Sequence, residues 1–168
     1  ESLLGNFVTD LRLEQYSDLA DICVMNNGGL RSIIPKGNVT RGDLYKLMPF
    51  DNELVVVELD KKDFEGLLEY IVSRDGEPIS GMKIVVNENE KNINHTLFRE
   101  IDFSKGETIK VLTSDYLANG GDKMWFFKDK IQTTVEIKLR DAIINYCKSQ
   151  KVISSKLDWR IILENTDK

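Results

Sequence analysis

Two Asn-Gly-Gly turns carry the residues best suited to hold a polar ligand. The first, in "NNGGLR", presents Asn26, Asn27, Gly28, Gly29 and Arg31 after the apolar run Ile22 to Met25. Its glycines allow a tight turn or a close backbone approach. Turn amides, two carboxamides and a guanidinium can then donate to an anion or polar group. The second turn, Asn119, Gly120 and Gly121 in "SDYLANGGD", lies between Tyr116 and Asp122. Phe50, between Pro49 and Asp51, is a second aromatic beside a polar turn. Two such rings could clamp a planar base, since stacking accepts any π face. Asp122 could accept from ligand hydroxyls.

Plainer roles stand beside these. "NNGGLR" also reads as an ordinary glycine turn with Arg31 satisfied by a nearby carboxylate. Phe50 and Tyr116 could be core plugs, and Asp122 a turn or helix-capping carboxylate. Trp125, Phe126 and Phe127 form an apolar patch suited to the core or to an interdomain contact.

The rest of the chain offers little for bond breaking. It has one histidine, His95, in the polar run "NENEKNINHT", and two cysteines, Cys23 and Cys147. No Ser-His-Asp or Cys-His set can be assembled, and no Cys/His cluster for a metal. Both cysteines read as buried free thiols, with a disulfide between them as the alternative. Neither G-x-G-x-x-G nor a P-loop is present. No catalytic residue and no metal ligand is therefore expected in this chain.

Composition sets the frame. The chain has 168 residues, 41% hydrophobic and 30% charged, with a net charge of -5. That is enough for one globular core. The acidic balance speaks against a nucleic-acid polymer as partner, and the apolar runs are too short for a transmembrane segment.

Several elements must position the turns. Leu3, Leu4, Phe7, Val8 and Leu11 predict an opening helix. Ile22 to Met25 predicts a strand, and Thr40 with Asp43 a capping box ahead of Leu44 and Leu47. "LVVVEL" (Leu54 to Leu59) is a strand leading to a helix whose apolar face is Phe64, Leu67, Leu68, Ile71 and Val72. Met82 to Val86 is a strand with a polar turn over 87–96, and Glu107 to Leu112 another. A helix is expected from Val135 to Ser149, then a strand from Asp158 to Leu163 and a frayed tail. Helices and strands mix without regular alternation, which predicts α+β, or layered α/β/β/α, rather than a doubly wound sheet.

"ESLLGNFVTD", "NNGGLR", "VTRGDLYKLMPFDNELVVVEL", "ISGMKIV" and "SDYLANGGD" together resemble the C-terminal domain of the 5'-nucleotidase / UDP-sugar hydrolase family. The resemblance implies a four-layer α/β/β/α fold over residues 1–168 as a single domain. It implies that Asn26 and Arg31 touch the base and ribose region, that Phe50 and Tyr116 sandwich the base, and that Asp122 binds the ribose hydroxyls. It also implies a nucleoside or 5'-nucleotide ligand. The partner would be a metallophosphoesterase domain outside this chain, in cis or as a separate chain, holding two divalent metals and the catalytic residues. An exported, periplasmic or cell-surface home follows by the same resemblance. The alternative is a non-enzymatic nucleoside-binding or docking protein that keeps the fold without hydrolysis. Asn27 and Asp51 depart from glycines common in that family, and Lys123 and Met124 from its usual glycine and aromatic.

Overall fold

The architecture follows from one sheet whose inner strands bury apolar side chains on both faces. A computed structural model describes residues 1–87, 92–97 and 99–164. Its elements are helix α1 (Leu3–Gln15), strand β1 (Ile22–Val24), α2 (Arg41–Leu47), β2 (Glu53–Leu59), α3 (Lys61–Ser73), β3 (Ile79–Ser80), β4 (Met82–Asn87), β5 (Asn92–Leu97), β6 (Ile109–Ser114), α4 (Asp115–Ala118), β7 (Gln132–Lys138), α5 (Leu139–Ser149) and β8 (Ile161–Glu164). A five-stranded sheet runs β3-β1-β6-β2-β7, and a three-stranded sheet runs β5-β4-β8.

Strand alternation divides the core in two. Val55, Val57 and Leu59 of β2 face Phe64, Leu67 and Ile71 of α3 together with Met82, Ile84 and Val86 of the smaller sheet. Leu54 and Val56 face the opposite way, into a cluster with Phe7, Val8 and Leu11 of α1, Leu44 and Leu47 of α2, and Ala142 and Ile143 of α5. The expected α+β class is what forms. The helix starts are those the sequence marks: Thr40 and Asp43 make a reciprocal capping box on α2, and Asp60 accepts from the Asp63 N–H at the start of α3.

Three expectations need correction. The helix expected from Val135 begins only at Leu139, because Gln132–Lys138 is the edge strand β7, antiparallel to β2. Val135 and Ile137 are two residues apart, a strand period that merges into the helical spacing of α5. A register shift between Glu53 and Val55, with Glu136 at φ 56°, marks a bulge that bends this strand. The polar turn expected over 87–96 is also mostly strand, since β5 pairs antiparallel with β4 and sets His95 opposite Ile84. Residues 88–91 of that turn lie outside the described residues, as does the tail 165–168. Third, only Cys23 is a buried thiol; Cys147 is half-buried, and both are free.

A buried arginine ties the helical layer to the site. Arg12 is fully buried, with no carboxylate partner among the described residues, and burial pulls its pKa down to about 10, so it stays charged at neutral pH. Its guanidinium donates to the carbonyls of Val8 (3.2 Å) and Leu139 (3.3 Å) and contacts Met48 Sδ at 3.1 Å. Met48 and Leu139 both border the segment that carries Phe50.

Candidate functional site

Strand direction brings the marked residues to one edge. β1 and β6 are parallel neighbours, so both end at the same edge of the large sheet. β2 is antiparallel to β6 and starts there, with Leu54 opposite Ser114. β7 also ends there, Lys138 lying opposite Glu53. Asn26 to Arg31 follow β1, Tyr116 to Asp122 follow β6, and Phe50 precedes β2. Ligands of open sheets commonly bind outside such strand ends.

The two Asn-Gly-Gly turns meet at Asp122. Asn26 Nδ2 donates to Asp122 Oδ2 at 2.5 Å, and the Tyr116 hydroxyl donates to Asp122 Oδ1 at 2.8 Å. The Asp122 N–H in turn donates to the Tyr116 hydroxyl at 3.2 Å, and Tyr70 donates to the Asp122 carbonyl at 2.9 Å. Each carboxylate oxygen keeps a further lone pair for another donor. Asp122 adopts a left-handed conformation, φ 50° and ψ 25°. Such a conformation costs a non-glycine residue about 1–3 kcal/mol, offset here by these four hydrogen bonds.

Glycine is required where the aromatic ring lies. A Cβ on Gly121 would sit 2.5 Å from the Tyr116 carbonyl and 2.6 Å from two of its ring carbons. The ring therefore rests on the turn backbone, and its exposed part, 46%, is left for other contacts. Ser114 holds α4 by accepting from the Leu117 N–H, and Asn119 donates to the Asp115 carbonyl at 2.7 Å. Asn119 and Gly120 thus shape the turn and do not face the carboxylate cluster. In the first turn a Cβ on Gly29 would meet Asn26 Oδ1 at 2.8 Å. The Asn26 carboxamide lies across the Gly28-Gly29 backbone.

Phe50 and Arg31 form the other half. Phe50 is 50% exposed, so it is not a core plug. The Arg31 guanidinium stands 6.0 Å from its ring centroid, at the outer range of a cation–π contact. Arg31 is exposed and donates to the Gly28 carbonyl at 3.4 Å; among the described residues it has no carboxylate partner. The ordinary-turn alternative, in which a local carboxylate satisfies Arg31, is not what forms. A crevice of about 20 Å³ lies between Asn26 and Gly29 of the first turn and Phe50, Asn52 and Ser114; neither Tyr116 nor Asp122 lines it.

Other residues that sequence reasoning passed over support the site. Glu77 is buried and accepts from the Asn27 N–H at 2.7 Å, while Asn27 Nδ2 donates to the Gly76 carbonyl at 2.9 Å. Asn27 therefore anchors the turn instead of facing a ligand. Burial raises the Glu77 pKa, only partly countered by the Asn27 N–H and by Arg74. Arg140 and Tyr70 lie far from the motifs in sequence, and no local pattern announces them. Phe126 and Phe127 are core, whereas Trp125 is exposed, with its ring against Gly66 of α3. Among the described residues no group of three or more His, Cys, Asp or Glu is placed to hold a metal ion, and no helix is long and apolar enough to cross a membrane. His95 packs edge-on against Phe64 at 5.1 Å, away from the turns.

Residues 1–129 match the family model of the 5'-nucleotidase C-terminal domain. The chain belongs to that family. It is 27% identical over 187 residues to an apyrase of Tabanus yao, covering 94% of this chain and 34% of the apyrase. It is 30% identical over 138 residues to the trifunctional nucleotide phosphoesterase YfkN of Bacillus subtilis, covering 73% of this chain and 9% of that protein. The fold superposes on a 5'-nucleotidase precursor from Thermus thermophilus with a TM-score of 0.85 and 28% identity, covering 98% of this chain and 36% of the other. The domain thus has the mixed architecture of the 5'-nucleotidase C-terminal domain. It spans about a third of the apyrase and of the Thermus protein.

Two outcomes test this arrangement. Gly121→Ala should push the Tyr116 ring off the turn and destabilise the fold by about 1–3 kcal/mol, read by urea unfolding and by the Tyr116 ring signals in NMR. For Glu77, a folded pKa above the ordinary 4.5 means its contribution is fully present below 4.5 and is lost as pH rises through the folded value. Glu77→Gln should remove that loss. Its unfolding free energy, measured from below pH 4.5 to neutrality, should fall less with rising pH than the wild type's.

Proposed function

We propose that this domain is the nucleoside-recognition unit of a 5'-nucleotidase-type phosphohydrolase, acting in nucleotide catabolism. The observation that carries the reading is the meeting of both Asn-Gly-Gly turns at Asp122, beside two half-exposed aromatics and an exposed arginine. Phe50 and Tyr116 stack on the two faces of the base. Asn26 and Arg31 orient the base and ribose region, and the free lone pairs of Asp122 accept from the ribose hydroxyls. Stacking of this kind contributes about 1–3 kcal/mol per base.

Hydrolysis belongs to a separate metallophosphoesterase domain, in cis or on another chain, whose two divalent metals polarise the phosphoryl group and activate water. This domain's share is to hold the substrate in a reactive position. Membership of the family and the length of the relatives, about three times this chain, support that division. An exported location, periplasmic or at the cell surface, fits the likeness to a Thermus protein that is a 5'-nucleotidase precursor.

Calorimetric titration with adenosine tests the binding. The wild type should bind saturably, and Phe50→Ala and Tyr116→Ala should each weaken binding by about 5- to 150-fold. Equal affinity in all three proteins would remove the two rings from the site, and no binding by any of them would favour a docking role without nucleoside recognition. The pure chain supplied with divalent metal should release no phosphate from a 5'-nucleotide; metal-dependent release would overturn the assignment of hydrolysis to another domain.

A further inference from the structure

The segment between α2 and β2 has no helix or strand, yet it must hold Phe50 at a fixed height above the sheet edge. Half of the Phe50 side chain is in solvent, so packing around the ring cannot set its position alone. The backbone must be fixed instead. Arg140, in the first turn of α5, is only 7% exposed and reaches into this segment. Its Nη1 donates to the Met48 carbonyl at 3.0 Å and to the Phe50 carbonyl at 3.4 Å. Its Nη2 donates to Asp51 Oδ1 at 2.6 Å, and its guanidinium lies 4.1 Å from the Tyr45 ring centroid. The preceding residue adds one more tie, the Leu139 N–H donating to the Asn52 carbonyl at 2.9 Å.

We propose that Arg140 is the positioning residue for Phe50, setting the angle at which its ring meets a stacked base by gripping the backbone on both sides of it. The inference rests on the nucleoside-binding reading and adds to it the residue that presents one face of the clamp. The chemistry requires arginine. A planar fork of donors can serve two carbonyls and a carboxylate at once, and its face can stack on Tyr45, whereas a lysine ammonium is a compact point charge on a flexible stem. Asp51 is the second component. Arg140 and Lys138, 3.3 Å from its other oxygen, hold its pKa below the usual carboxylate value by their hydrogen bonds, so it stays charged through the neutral range. Burial alone would weaken the guanidinium, but the hydrogen bond to Asp51, the Asp51 charge and Tyr45 together more than offset this and its pKa is raised.

A double-mutant cycle tests the proposal, using adenosine titrations of the full chain with the unfolding midpoint measured for each variant. Arg140→Lys should weaken adenosine binding by about tenfold to a hundredfold. In a Phe50→Leu background, which removes the aromatic face, the same substitution should cause no further loss. A purely structural role predicts the reverse, an equal additional loss with or without the ring, and that result would overturn the proposal. Asp51→Asn removes the charged partner while leaving Arg140 in place, and serves if Arg140→Lys fails to fold. It should show a smaller loss with the same dependence on Phe50. Unchanged affinity in both variants would also overturn the proposal. Absence of adenosine binding by the wild type is a different outcome, seen before any variant is compared, and it would remove the reading on which the proposal rests.

Discussion

Asp122 receives the Asn26 carboxamide on one oxygen and the Tyr116 hydroxyl on the other, the first donor from the turn after β1 and the second from α4, just ahead of the second turn. This carboxylate links the segments that follow β1 and β6, beyond the ladder that pairs the strands themselves. The constraint reaches further back. Asp122 can occupy its left-handed conformation because Tyr70 of α3 holds its carbonyl and Tyr116 its N–H. Tyr116 can lie flat because position 121 has no side chain. A hydrogen bond to an ionised acceptor is about twice as strong as a neutral one. A single charge therefore organises both loops while keeping lone pairs for a ligand.

The sheet makes this economical. Because β6 lies between β1 and β2, parallel to one and antiparallel to the other, one edge collects two strand ends and one strand start. β7 adds its own end, where the bulge at Glu136 leads into α5 and so delivers Arg140 beneath the Phe50 segment. Arg12 reaches the same region from α1. Two buried guanidiniums thus hold an irregular segment with carbonyl and sulfur acceptors. Buried backbone carbonyls need such partners when no ladder or helix supplies them.

Much of this is legible locally. Capping residues Thr40 and Asp60, the β-branched run of β2 and the glycine turns declare themselves within a few positions, because the preferences that form them are local. The pairing of the two Asn-Gly-Gly turns is readable as a shared motif, though not its hydrogen bond, which joins residues 96 positions apart. Glu77 beneath Asn27, Tyr70 on Asp122 and Arg140 around Phe50 have no local signature. Each looks like an ordinary helix or loop residue until strand order brings it near. β7 reads as helix because Val135, Ile137 and Leu139 precede helical spacing without a break, and only pairing with β2 makes the first two strand residues. The roles expected of Arg31 and Phe50 rest on the family resemblance; the geometry adds that both are exposed and lie beside one another.

The proposed site requires Phe50 and Tyr116 to close on one planar base from opposite sides. Intermolecular NOEs between adenosine and the chain test this requirement without any substitution. Base protons should show contacts to the ring protons of both Phe50 and Tyr116, with ribose protons close to Asp122. Contacts to one ring alone, or to residues away from this sheet edge, would contradict it.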